Sequence, residues 1–250
     1  MMLPTLILTG ATICSAAIPP VALDHDEYRN GARQTLAKFG VASDVDALLK
    51  AVTRDPRALV RLTAADLLTN LKERSSILVM RSAVKTEVNE QVRAHIGGDL
   101  LELQGEDAHA LVTGLLAETK EPENRIRLAG ALARLGDYAG YPDVLAGLNS
   151  KSSATQWDAQ FALGSFIAKC RPCRLSPSPV DAAILSLKSP LPGLRSSAVI
   201  ALSRGLDDPR VLAALKVIAA GDENAQVRHT AKVFLDKAAL KHQSHDGTQR

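Results

Sequence analysis

Aromatic residues are scarce in this chain. Phe, Trp and Tyr make up 3% of its 250 residues, with one tryptophan, while apolar residues make up 46%. The core must therefore be Leu, Ala, Val and Ile, which suits closely packed helices and disfavours a sheet-rich fold wanting aromatic and β-branched side chains. An excess of either charge is missing as well: 30 Lys and Arg stand against 27 Asp and Glu, a formal +3, with the signs interspersed. No basic stripe announces a nucleic-acid or acidic-membrane surface. Cysteine occurs only three times, too few for two zinc-binding pairs.

The first 23 residues contain no charge at all. Leu3 to Ile13 is an apolar run ending near Ser15-Ala16-Ala17, a small-x-small pattern that a signal peptidase cuts, and it is too short to span a bilayer. Residues 1–23 are accordingly expected to be a signal peptide or apolar leader, with the protein periplasmic or secreted if the leader is cleaved and cytoplasmic otherwise. The basic start of such a leader is absent, since the first Lys or Arg is Arg29. Cys14 invites a lipoprotein reading, but Ile13 before it is bulkier than that reading wants.

What the chain does have is a repeat. With Arg125 as position zero, Leu128, Ala129, Leu132 and Leu135 fall at +3, +4, +7 and +10, one face of a helix. The same template starts at Arg29, Arg61, Arg93, Gln156, Arg195 and Arg228, and the intervals between successive origins are 32, 32, 32, 31, 39 and 33 residues. Position +7 is leucine every time: Leu36, Leu68, Leu100, Leu132, Leu163, Leu202 and Leu235. An earlier helix precedes each complete unit across a polar turn, as in Asp44 to Thr53 before Asp55-Pro56 and Val211 to Ala220 before Gly221-Asp222. Each unit is thus a helical hairpin, and stacked hairpins share one continuous core.

The segments DPRALVRLTAADLLTNL (55–71), ENRIRLAGALARLGD (123–137) and DENAQVRHTAKVFLDKA (222–238) resemble HEAT repeats, above all the short HEAT-like repeats of phycobilisome-lyase-type proteins. The resemblance implies an all-α, right-handed α-α superhelix of about seven helical hairpins, the first partial, over residues 24–240, followed by a polar tail at 241–250. Such repeats serve many unrelated roles, so the resemblance speaks for fold far more than for function. It implies a protein-binding scaffold docking its partner on the concave face, expected as a monomer with no cofactor, no metal and no nucleic acid, and not an enzyme. The alternative is a HEAT-like enzyme or an accessory factor of the bilin-lyase type. The HEAT-like di-iron hydroxylases use paired His-Glu motifs, and none of the six histidines here precedes a glutamate. No residue matches a lyase site, and the template itself assembles no cluster of acids or bases on the inner face.

Three features compete as sites. The arginine column at position zero lies on the core side, and the resemblance implies a ladder bonding turns and neighbouring repeats rather than a partner surface. Cys170 and Cys173 follow the helix from Gln156 to Ala168, at the end where the helix dipole disfavours a thiolate. They read as a loop staple, a possible disulfide, or as two idle thiols. Positions +1, +5 and +9 lie opposite the core face and carry Trp157, Phe161, Ile126, Arg134, Ile200 and Arg204, expected to line the inner surface as the binding residues. Trp157 has a second reading, as a side chain filling the space that small residues leave.

Overall fold

A computed structural model describes residues 25–246 of the chain, with side chains over 26–240. The leader expected at 1–23 and the last four residues lie outside the described residues. All the regular structure described is helical: α1 (His25–Lys38), α2 (Val45–Arg54), α3 (Ala58–Asn70), α4 (Ser76–Thr86), α5 (Glu90–Gln104), α6 (His109–Glu118), α7 (Pro122–Ala133), α8 (Tyr141–Leu148), α9 (Ser153–Lys169), α10 (Pro179–Ser186), α11 (Pro192–Leu202), α12 (Pro209–Gly221) and α13 (Ala225–Asp246). Short 3-10 turns at Gly105–Ala108 and Ser203–Gly205 join α5 to α6 and follow α11. The helix α13 runs on into the segment expected as a polar tail.

Helix starts follow local chemistry. Asp44, Asn89, Ser152 and Ser178 each accept a hydrogen bond from the backbone three residues on, satisfying a free first-turn amide of α2, α5, α9 and α10. Pro122, Pro179, Pro192 and Pro209 open α7, α10, α11 and α12, where a missing amide hydrogen costs nothing.

Among the described residues α1 packs on α3 as the second helix of a hairpin does, and six complete hairpins follow, from α2 with α3 to α12 with α13. The odd-numbered helices stack consecutively into one layer, whereas the even-numbered helices touch one another sparsely. The result is an α-α superhelix of HEAT-like hairpins. At the template's +3 and +7 positions the core is dry: Ala64, Ile96, Leu128, Ala159, Ala198 and Ala231, with Leu36, Leu68, Leu100, Leu132, Leu163 and Leu202, are 0% exposed. Leu235 is only partly buried.

The small residues of ENRIRLAGALARLGD hold the stack together. A β-carbon built on Gly130 would stand 2.8 Å from the Ala162 β-carbon and 3.0 Å from its α-carbon, so α7 and α9 meet almost backbone to backbone. Gly98 faces Ala131 in the same way across α5 and α7, at 3.8 Å. Position +5 of one helix therefore meets +6 of the next. Small residues here shorten the spacing of the odd-numbered layer, so the array curves toward it and that layer is the inner face.

The arginine column is a ladder within the frame. Arg61, Arg125, Arg195 and Arg228 donate to the main-chain carbonyls of Asp55, Thr119, Ser189 and Asp222, each six residues earlier, and Gln156 does the same to Ser150. Arg61, Arg125 and Arg195 also fork onto carboxylates of the following hairpin, Glu87, Asp143 and Asp222, at 2.7 to 2.9 Å. Each arginine thereby closes its own hairpin turn and clamps the next unit. Arg93 breaks the pattern: its buried Nε has no hydrogen-bond partner.

Candidate functional site on the inner face

The expected docking residues divide by position. Phe161, at +5, is 74% exposed. Arg204, at +9, is exposed, and its Cγ lies 3.5 Å from where a Gly164 β-carbon would stand, so its stem crosses α9 one turn from Phe161. Arg134 is exposed and sits 3.6 Å from Glu102, while Ile200 is partly buried beside the core.

The +1 positions are corrected. Ile126 is 1% exposed, with its Cδ1 lying over Gly147 where a β-carbon would be, and Ser196 at +1 of α11 is fully buried. Trp157 is half-buried, its indole Nε1 4.0 Å from the β-carbon position of Gly193 at the start of α11. Position +1 points sideways into the next hairpin and fills the seam instead of facing the groove. Of the expected residues, Phe161 at +5 and Arg134 and Arg204 at +9 are the exposed ones.

A second constellation on this face was missed. Tyr28 donates from α1 to Asp66 Oδ2 at 3.0 Å, and the charges of Asp66 on α3 and Asp99 on α5 act on each other. Burial pushes the Asp66 carboxyl up to about 6, and burial followed by the Asp66 charge pushes Asp99 well above the ordinary carboxylate range. Asp99 Oδ2 and the Nε of Arg127 on α7 are buried without hydrogen-bond partners. Arg127 acts on Asp66, Asp99 and Asp158 through space, yet forms no hydrogen bond or ion pair with a described residue. Burial, then Arg127, holds the His95 imidazole down at about 3, so it stays neutral. Asp158 is raised chiefly by burial. The signal was legible: Asp66 and Asp99 occupy the +5 and +6 seam positions that are Gly98 with Ala131, and Gly130 with Ala162, in later hairpins.

Cys170 and Cys173 are joined, and their loop borders a cavity of about 480 Å³ floored by Phe166, Ile167 and Val180. The charged groups of its rim are already engaged, Arg171 with Asp207 and Arg210 with Asp208 and Asp181. Among the described residues no three His, Cys, Asp or Glu side chains gather in a metal-holding group, and no helix is long and apolar enough to cross a membrane.

No protein-family model matches the sequence, and no curated protein is similar to it in sequence. In structure the chain is similar to human deoxyhypusine hydroxylase in complex with glycerol, at 18% identity and a TM-score of 0.42, over 86% of this chain and 79% of that one. It is also similar to a designed armadillo repeat protein, at 15% identity and a TM-score of 0.42, over 86% of this chain and 94% of that one. The architecture is a helical-repeat solenoid.

One of these two structures is that of an enzyme. The inner face also gathers the acids, phenol and guanidinium that the template did not show. Both findings correct the expectation that the chain is not an enzyme: neither the fold nor the side chains of the groove exclude catalysis.

Proposed function

We propose that the protein binds a partner polypeptide on its inner face, with Phe161 as the anchor and Arg204 and Arg134 beside it. The observation that carries this reading is the 74% exposure of Phe161, where the same +5 position is the buried Gly130 in α7 and the partly buried Ile200 in α11. An aromatic ring left in water beside arginines has the composition of a binding hot spot. Arg204 has no hydrogen bond or ion pair with a described residue, and the Arg134 to Glu102 pair is exposed and long at 3.6 Å. The Arg204 guanidinium is therefore free to meet a carboxylate and Arg134 can exchange its exposed pair for one, so the partner segment carries an apolar residue flanked by acidic ones. Export from the cytoplasm is part of the reading and is supported by the joined Cys170 and Cys173.

The test is quantitative affinity capture from the native compartment with the wild-type chain, Phe161→Asp and Arg204→Glu, alongside thermal melting. Loss of the same partner in both variants, at unchanged melting temperature, supports the reading. Equal capture by all three would refute it. Intact-mass measurement of the native protein tests export: a chain starting near Ile18 supports it, and full-length chain with free thiols in the cytoplasm contradicts it.

A further inference from the structure

Arg204 reaches the inner face from the Ser203–Gly205 turn, and the disulfide loop touches that turn. A β-carbon built on Gly205 would stand 2.8 Å from Ile167 Cγ2 and 3.2 Å from Arg171 Nη2, so Arg171 lies against the turn one residue from Arg204. Arg171 also pairs with Asp207, two residues beyond Gly205, and it sits between the joined Cys170 and Cys173. With 38% and 62% of the two side chains exposed, the pair holds little by itself. The short disulfide ring keeps it formed by fixing where Arg171 leaves the backbone.

Asp207 has a second arginine within reach. The Asp208 amide donates to the Gly205 carbonyl at 2.9 Å, which carries the 3-10 pitch of the turn onward and puts residues three apart on one side. Arg204 and Asp207 are three apart, and Arg204 bonds no described residue while Arg171 holds Asp207. Arg210 is committed to Asp208 and Asp181. The loop also has space to leave its place, since Cys170 to Cys173 stand on the wall of the 480 Å³ cavity.

We propose that the Cys170–Cys173 disulfide controls docking by deciding which arginine Asp207 meets: Arg171 in the oxidised chain, leaving Arg204 free, and Arg204 in the reduced chain. The inference rests on the reading of Phe161 and Arg204 as docking residues. A dithiol reductant opens the bond by exchange. Its first thiolate attacks one sulfur and expels the other cysteine, and its second thiolate displaces the cysteine still attached. Two cysteine thiols carry the reductant's two protons, and the reductant leaves as a cyclic disulfide. The start of the loop then loses its closure, while Tyr141, donating to the Pro177 carbonyl at 2.9 Å, keeps the far end seated. Arg171 leaves Asp207, and the freed carboxylate takes Arg204 from the partner. Docking is thereby confined to an oxidising compartment.

Phenylglyoxal labelling of arginines, mapped by mass spectrometry on the full chain before and after reduction with dithiothreitol and desalting under nitrogen, reads the exchange without a partner, because an ion pair holds the guanidinium proton that the reagent displaces. Reduction should slow Arg204 by about two- to fivefold, the weight of one exposed ion pair, and speed Arg171. Arg171→Gln should show the slow Arg204 with its disulfide intact, and Asp207→Asn should keep Arg204 fast in both states. Both variants alter exposed side chains, and circular dichroism checks that they fold. Fluorescence anisotropy with the labelled peptide Glu-Glu-Phe-Glu-Glu then reads docking: reduction should weaken binding to the wild type by the same factor and leave Asp207→Asn unaffected. Arg204 labelling unmoved by reduction and by Arg171→Gln, or a reduction effect that survives in Asp207→Asn, would overturn the proposal. Equal binding of the peptide to both states overturns it as well, while upholding the docking reading. Binding to neither state refutes the docking reading, and the labelling then decides the arginine exchange alone.

Discussion

The same substitution, glycine to alanine, should have opposite effects at two helical positions. In α7 the β-carbon introduced by Gly130→Ala would fall 2.8 Å from the Ala162 β-carbon and 3.0 Å from its backbone α-carbon. Ordinary carbon contacts are about 3.5 to 4.0 Å, so α7 and α9 must separate by roughly 0.7 Å or more at the narrowest point of the stack. Overpacking of this kind costs about 1 to 3 kcal/mol, against a gain of about 0.8 to 1.0 kcal/mol from the better helix former. The net expectation is a loss of up to about 2 kcal/mol. In α6, Gly114 is exposed and a β-carbon there meets nothing within 4 Å, so only the propensity gain remains. Gly114→Ala should raise stability by about 0.5 to 1 kcal/mol. Urea unfolding followed by circular dichroism, with both variants and the wild type at one pH, reads the signs directly. Adding Ala162→Gly to Gly130→Ala removes the opposing β-carbon and should recover part of the loss, a coupling measurable as a double-mutant cycle. Stabilisation by Gly130→Ala comparable to that at Gly114 would show that the odd-numbered helices are not in backbone contact and would undo the seam rule.

Leu132→Ala empties a site that is 0% exposed and should lose about 2 to 5 kcal/mol in thermal or urea unfolding; a near-wild-type value would mean the repeat register is misplaced. Trp157 is half-buried, so Trp157→Ala should cost about half of the 3 to 5 kcal/mol of a fully buried aromatic residue, read by the same assay. Asp222→Ala leaves the Arg195 guanidinium, with 7% of its side chain exposed, without its forked partner but still paired with Glu223, and a loss of about 1 to 3 kcal/mol is expected from unfolding curves. The Arg195 hydrogen bond holds the Asp222 carboxyl below the ordinary carboxylate range, so this contribution is present above about pH 4 and disappears as pH falls through the depressed value. The Asp66 and Asp99 pair has the opposite sign, its proton being held more tightly in the fold, so stability falls as pH rises through the raised values. Melting temperature against pH should accordingly decline on both sides of a weakly acidic maximum, and Asp99→Asn should flatten only the alkaline side.

The sequence by itself determined the architecture, because a hairpin repeat is written in local periodicity. Leucine at +7, small or aliphatic residues at +3, and an arginine at position zero recur at intervals near 32 residues, and each serves the same neighbour geometry wherever it recurs. The arginine ladder was legible for that reason, although its bonds run to main-chain carbonyls, as from Arg61 to Asp55, which no side-chain pattern reveals. The tertiary structure alone decided which flank of each helix meets the next hairpin. A helical wheel places +1 and +5 on one polar side, but stacking buries Ile126 at +1 and leaves Phe161 at +5 in water. The same stacking buries Asp66 and Asp99, 33 residues apart in the sequence, and the upward shift of both carboxyl groups comes chiefly from that burial, which neither residue shows by itself. Periodicity records what repeats, whereas a site arises where one unit departs from the repeat and its neighbour is near enough to feel the change.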